Sequence, residues 1–214
     1  MSENELWLTQ VRMNIRNREA RRDLRDVVDL HRTVMSMFPD VSSNEARQSM
    51  GVLYRLDVVN ERPVLLVQAP VRPDPKKLPD GYGDVALTSL ISLINQFQDG
   101  LTIRYRIMAN ATKRPNSGQL KGKRIALGVE DAKKWWAERA SEAGIMLIDE
   151  PTFVAEILTG TSLNKSQLTL RPWRIDGIAA IVDINRLTNT LKTGIGRGKA
   201  YGCGMLSVAI PKAK

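Results

Sequence analysis

His31 is the only histidine in this 214-residue chain, and Cys203 the only cysteine. An imidazole titrates in the range useful for proton transfer, as base or as acid. A zinc site of the Cys/His kind takes about four such ligands, and this chain has two, far apart in sequence. Two histidines cannot share acid and base work here, no local Cys–His nucleophile pair is suggested, and no Gly-x-Ser-x-Gly elbow is present. No Asp-x-Asp cluster argues for a carboxylate-held magnesium ion. Chemistry in this chain must therefore run on one imidazole, hydroxyls, and abundant Lys and Arg, and no metal is expected.

A second concentration of unusual residues is the loop Gly194-Ile-Gly-Arg-Gly-Lys-Ala-Tyr-Gly-Cys-Gly204, with Arg197 and Lys199 among its five glycines. The P-loop pattern fails because Ala200 follows Lys199, and the dinucleotide pattern fails because Lys199 stands where its third glycine belongs. The order is also reversed, since this loop leaves a helix and enters a strand. Two readings stay open. One is a structural turn packed tightly on a sheet. The other is a basic loop whose Gly194, Gly196, Arg197, Gly198 and Lys199 hold an RNA backbone.

Charge favours a polyanionic partner. The chain carries 32 basic and 23 acidic residues, a formal charge of +9. Their distribution says more than the total. Leu101 to Val129 holds Arg104, Arg106, Lys113, Arg114, Lys121, Lys123 and Arg124 with no acid, and no acid follows Asp183, although Arg186, Lys192, Arg197, Lys199, Lys212 and Lys214 do. Two such segments point to a shared positive face.

The elements that must position these residues follow from periodicity. Leu6 to Met13 alternates and predicts a strand. An Arg- and Asp-rich run precedes an amphipathic helix stopped by Pro39. If that helix began at Arg22, His31 would sit centrally on its apolar stripe; if near Val27, His31 moves to the flank. Asp26 with Asp29 resembles a capping box and favours the second. Gly51 to Asn60 and Pro63 to Gln68 predict a hairpin, Pro70 to Tyr82 a loop, Val85 to Phe97 a short helix, and Leu101 to Ala109 a strand with a basic face. That order is β-α-β-β-α-β. The second half reads similarly: a short strand at Arg124–Leu127, a helix from Glu130 to Gly144, extended segments at Ile145–Ile148 and Phe153–Leu158, strands at Leu168–Ile175 and Gly177–Val182, a helix from Ile184 to Lys192, and a strand from Met205 to Ile210. The expected fold class is α+β: two tandem ferredoxin-like (βαββαβ, RRM-like) domains with antiparallel sheets. Residues 1–98 would be the N-terminal domain carrying the histidine helix, with 101–110 as the alternative position of its last strand. Residues 99–214 would be the C-terminal domain with the glycine loop. Apolar content of 43% suffices for two cores. The single cysteine, the absence of a signal-peptide layout and the lack of a long apolar run predict a cytoplasmic location away from any membrane.

The glycine loop running into Met205-Leu206-Ser207-Val208-Ala209 resembles the C-terminal signature of the RAMP superfamily. So, in order and spacing, do Leu6-Trp-Leu-Thr, the helix Leu30-His31-Arg32-Thr33-Val34-Met35 to Phe38-Pro39, and Tyr105-Arg106-Ile107-Met108-Ala109-Asn110-Ala111-Thr112-Lys113-Arg114. Together they resemble most closely the CasE-type crRNA-processing endoribonucleases of type I-E CRISPR systems. The resemblance implies binding of a CRISPR repeat stem-loop and metal-independent cleavage at its 3′ base. The ribose 2′-OH attacks its own phosphate, leaving a 2′,3′-cyclic phosphate and a 5′-OH. It implies His31 as the catalytic residue, no small-molecule cofactor, and the crRNA and other Cascade subunits as partners. Where several relatives carry an assisting tyrosine, this chain has Val28. The resemblance further implies RNA contacts at Arg139 and at a hairpin around Thr159–Ser166, whose basic residue is Lys165. Charge and position suggest Arg32, Lys113, Arg114, Lys121, Lys123 and Arg124 as further backbone contacts. Trp135-Trp136 reads as core packing rather than base stacking. The competing functions are a non-catalytic RNA-binding RAMP subunit, favoured by Val28, and a basic assembly protein with no RNA role.

Overall fold

The computed structural model describes residues 5–40, 50–119, 121–161 and 164–211. Lys212 and Lys214 of the acid-free tail, and Ser162 and Leu163 of the Thr159–Ser166 loop, lie outside these residues.

In the first half, the alternating segment forms β1 (Trp7–Met13). It lies between β3 (Arg62–Ala69) and β4 (Gly83–Ser89), and β2 (Leu53–Val59) pairs with β3, giving an antiparallel sheet of order β2-β3-β1-β4. The β2–β3 turn places Asn60 and Glu61 at φ 49° and 62°, the left-handed pair that a two-residue hairpin turn requires. Two helices cross between β1 and β2. The Arg-rich run is α1 (Arg18–Asp23), capped by Asn17, and α2 (Val27–Ser36) is capped by Asp26. The cap starts α2 at Val27, so His31 stands beside the buried stripe of Leu30, Val34, Met37 and Phe38, not at its centre. Asp29 turns its carboxylate to Arg32 and Arg22.

Two expectations for this half are corrected. Val85 to Phe97 is not a helix: its first part is β4, paired residue for residue with β1 from Trp7↔Ser89 to Met13↔Gly83, and only one turn follows, α3 (Ile91–Ile94). An edge strand with most side chains exposed carries too little period-2 signal to separate it from an apolar turn. Leu101 to Ala109 does not close this sheet. It forms β5 (Thr102–Ala109), which belongs to the second sheet.

That second sheet joins β5 to β12 (Trp173–Ile181) and β13 (Ser207–Ala209), with β8 (Ile145–Leu147) and β9 (Thr152–Ala155) successively along the far edge of β12. The strand expected over Leu168–Ile175 divides: its start falls in a separate strand, Gln167–Leu170, while Trp173 to Ile175 merges with the next expected strand into β12, running straight through Gly177, where any Cβ would lie 2.5 Å from the Tyr105 hydroxyl. Helices α4 (Val129–Glu142) and α5 (Ile184–Thr193) cover one face. Gly144, at φ 79°, ends α4 in the left-handed cap that glycine favours. Two short hairpins project from this frame: β6 (Thr112–Lys113) with β7 (Ile125–Ala126), and β10 (Leu158–Thr161) with β11 (Gln167–Leu170).

Each sheet has its own core. Val11, Leu30, Val34, Tyr54, Leu65 and Tyr82 pack in the first; Ile103, Ile107, Trp136, Ile175, Leu187 and Leu206 pack in the second. Trp136 is fully buried and donates its Nε1–H to Tyr105 at 3.0 Å, a core residue as expected. The halves are joined by polar groups. Arg55, 2% exposed, bonds both Asp57 oxygens on its own strand and, across the junction, the carbonyls of Arg106 and Met205 and the Ser207 hydroxyl. Gln68 donates to the Leu191 carbonyl at the end of α5. Among the described residues no helix is long and apolar enough to cross a membrane.

Candidate active site and nucleic-acid interface

His31 projects from the second turn of α2 and is half-buried. Its ring stacks over Tyr54 on β2, centroids 6.1 Å apart and planes 20° apart. Burial pushes the Tyr54 phenol well above its ordinary range, so it stays protonated and donates to the Ala200 carbonyl at 2.6 Å. Ala200 lies in the glycine loop, in a short 3-10 turn (Lys199–Tyr201) that packs against α2. The imidazole is thus seated through one aromatic ring on the loop. Its open side borders a cleft of about 440 Å³, shared with Arg32, Ser36, Asp40 and Lys77. Arg32 bonds Asp29 at 2.6 Å, one turn back.

Tyr54→Phe keeps the ring beneath His31 and removes the bond to Ala200. Ala200 is exposed, so water can replace the lost donor, and the change should cost about 0.5–1.5 kcal/mol of stability, measured by urea denaturation.

The glycine loop is a folded knot. All five glycines have positive φ, from 70° to 83°. Two are also blocked by backbone: a Cβ on Gly194 would lie 2.8 Å from the Gly204 carbonyl, and one on Gly204 would lie 2.6 Å from the Ile195 carbonyl. Backbone bonds from Ile195 to Gly204 and from Gly204 to Met108 fasten the loop to β5. Both readings of the loop therefore have a structural counterpart: its interior is packing, and its outer edge, with Gly196 and Arg197 exposed, faces solvent. Lys199 turns inward, donating to the Thr193 carbonyl, and desolvation lowers its pKa. It serves the C-terminus of α5. Cys203, beneath the loop, is fully buried, and its thiol is pushed up to about 12, which keeps it protonated.

The loop's outer edge meets other cations. Arg197, Gly196, Asn110, Thr112 and Arg139 line one groove of about 430 Å³ between α4, α5 and the end of β5. Partial desolvation, then repulsion from Arg197 and Arg114, lowers the pKa of the Arg124 guanidinium. Arg124 is near enough to both Arg197 and Arg114 to be repelled by each, and all three are exposed, a cluster suited to a polyanion. Lys121 and Lys123 are exposed in the same segment. Lys113 is engaged by Asp131 at 2.7 Å, and Arg139 by Glu142, over the Trp135 ring. Lys165 lies apart, exposed in the β10–β11 turn at φ 59°. Two further tyrosines have other surroundings. The Tyr82 hydroxyl donates to buried Asp23 at 2.8 Å, and Tyr201 lines a separate small cavity with Val27, Leu30 and Thr159. Sequence reasoning missed Tyr54 and Lys77. Tyr54 sits on a strand whose alternation gives no local sign of a partner 146 residues away. Lys77 lies in a proline-rich loop that carried no motif.

A half-open imidazole beside a cleft, on a scaffold with a separate cationic groove, suits a nucleic-acid-binding protein able to move protons. Residues 6–210 match the family model described as CRISPR associated protein, and the chain belongs to that family. It is 34% identical over 218 residues to the CRISPR-associated endoribonuclease Cse3 of Thermus thermophilus, covering 95% of this chain and 100% of that one. The structure of Thermus thermophilus Cse3 bound to an RNA representing a pre-cleavage complex is similar at a TM-score of 0.80 and 30% identity, covering 96% of this chain and 99% of that one. A chain of a CRISPR RNA-guided surveillance complex in its pre-nicking state is similar at a TM-score of 0.71 and 31% identity, with 96% and 100% coverage.

Proposed function

We propose that this chain is a metal-independent endoribonuclease that binds the CRISPR repeat stem-loop, cleaves precursor crRNA and stays on the mature crRNA among other Cascade subunits in the cytoplasm. The observation that carries the reading is His31, open to a cleft that also holds Arg32 and Lys77. In the reaction the ribose 2′-oxygen bonds to the adjacent phosphorus as its proton leaves to a base. The P–O5′ bond breaks, and O5′ takes a proton from an acid, leaving a 2′,3′-cyclic phosphate and a 5′-OH. His31 is the group for one of these transfers, and the neighbouring cations stabilise charge on the phosphoryl oxygens. The similarity to an RNA-bound pre-cleavage complex and to a surveillance-complex chain supports both the substrate and the assembly.

In this reading the scaffold is two tandem ferredoxin-like domains, divided near residues 98 and 99. The second half has the full β-α-β-β-α-β order with strands arranged β13-β5-β12-β8, and the first has the matching order β2-β3-β1-β4. In the first, a loop with the short 3-10 turn Pro75–Lys77 stands where the second helix would be. The deciding assay incubates the protein with its repeat RNA in EDTA. Products that persist there, and vanish with a 2′-deoxy substitution at the cut, support the proposal. Val28, whose side chain offers no donor or acceptor, favours a second reading, a non-catalytic RNA-binding subunit; binding with no product under any condition would establish that reading.

The cationic cluster makes its own prediction. Changing Arg114, Arg124 and Arg197 together to glutamine should lower the slope of log K against log salt by about 2–3. RNA binding measured by fluorescence anisotropy across a salt series checks this. An unchanged slope would mean that these guanidiniums do not meet phosphate.

A further inference from the structure

Asp26 is bonded on both sides. Its Oδ1 accepts the N–H groups of Val28 at 2.8 Å and Asp29 at 3.3 Å, capping α2. Its Oδ2 accepts the Thr161 N–H at 2.7 Å, from the β10–β11 hairpin 135 residues away. A cap needs only one oxygen. The hairpin is fitted to the spot: Gly160 is buried, and a Cβ there would lie 2.8 Å from Asp26 Oδ1 and 3.0 Å from Val28 Cγ2. The hairpin forms a two-stranded sheet of its own. Such a ribbon is marginal without a surface to pack on, and the start of α2 is that surface.

We propose that Asp26 is a positioning residue that clamps the first turn of the His31 helix to the β10–β11 hairpin. RNA seated against the hairpin then sets where the imidazole stands. The proposal rests on the reading of His31 as the cleaving residue. A displacement of about 1 Å at a reacting group can cost about 100-fold in rate, and His31 lies only five residues beyond the carboxylate that starts its helix. The carboxylate is suited to a permanent role. Burial pushes its pKa up, but N–H groups of Val28, Thr161 and Asp29 outweigh that and leave it below the ordinary value. With the folded pKa depressed, the clamp is complete above the ordinary aspartate range and lost only as pH falls through the lower folded value.

The test breaks the clamp from each side. Asp26→Asn keeps one acceptor for the cap and puts an amide donor in place of the second oxygen. Gly160→Ala leaves the carboxylate intact and wedges the hairpin away. Either change should lower the single-turnover cleavage rate at saturating protein about tenfold, with RNA affinity changed less than about threefold. In RNA-free protein, the Thr161 amide should lose protection from hydrogen exchange in both. The double variant should fall no further than the worse single one, since both remove the same contact. Retained Thr161 protection in the variants, rates lost only in step with affinity, or additive losses would each overturn the clamp. If Gly160→Ala does not fold, Asp26→Asn carries the same readouts. If the wild type cuts no RNA, the cleavage reading fails on its own, and the clamp's claim on His31 positioning falls with it, while the exchange measurement still reports whether the contact exists.

Discussion

His31→Ala is expected to lower the single-turnover rate of repeat-RNA cleavage by about 10²–10⁴-fold, with RNA affinity within about twofold of the wild type. The two quantities separate because the imidazole and the cationic groove are built from different elements. His31 stands on α2 over Tyr54, whereas Arg114, Arg124 and Arg197 come from the β6–β7 segment and the glycine loop. The substitution should also be tolerated by the fold, since the ring is half-buried and lies off the stripe that fills the first core. Quenched-flow cleavage with excess protein, alongside anisotropy titration with a 2′-deoxy RNA, measures both. An unchanged cleavage rate would remove His31 from the chemistry. A parallel fall in affinity would make it a binding residue instead.

Arg55→Ala is expected to have the largest effect on stability, about 3–5 kcal/mol. The guanidinium is 2% exposed and bonds a carboxylate that is itself 7% exposed, so removing it leaves the buried Asp57 charge with only the more distant Arg106 guanidinium, 3.9 Å away. It also strips a donor from the carbonyls of Arg106 and Met205 and from the Ser207 hydroxyl, all on the second half. Urea denaturation should therefore show a lower midpoint and a loss of cooperativity, as each core unfolds more nearly on its own. The double change Arg55→Met with Asp57→Leu should regain most of the loss, because it removes the buried, under-compensated charge and keeps the volume. A loss below about 1 kcal/mol for the alanine variant would show that the network is not what joins the halves.

Much of this was legible locally. Asp26 announced the start of α2, Gly144 the end of α4, and the alternation of Leu6 to Met13 the first strand, because capping and pleat act within a few residues. Which sheet a strand joins is not written locally. Thr102–Ala109 has the pattern of a strand wherever it pairs, and its pairing with Trp173–Ile181 depends on residues some seventy positions later. Gly83–Ser89 was misread for a related reason: an edge strand buries little, so its side chains show no clear period. In the site, residue types pointed to His31 and to the basic segments. The direction of Lys199, the ring beneath His31 and the second bond of Asp26 were beyond reach, since each is set by a neighbour fixed by the folded chain.

The bond from Tyr54 to Ala200 has a consequence for the order in which the protein is made. A ribosome adding about 5–20 residues per second reaches Ala200 roughly 7–30 s after Tyr54, given their separation of 146 residues. The first sheet and the histidine helix can fold in that interval, but the support beneath the ring's neighbour arrives only with the last glycines. A nascent chain that has not yet reached Ala200 thus carries its imidazole on an unfinished seat, and the site is complete only once the glycine loop has been made.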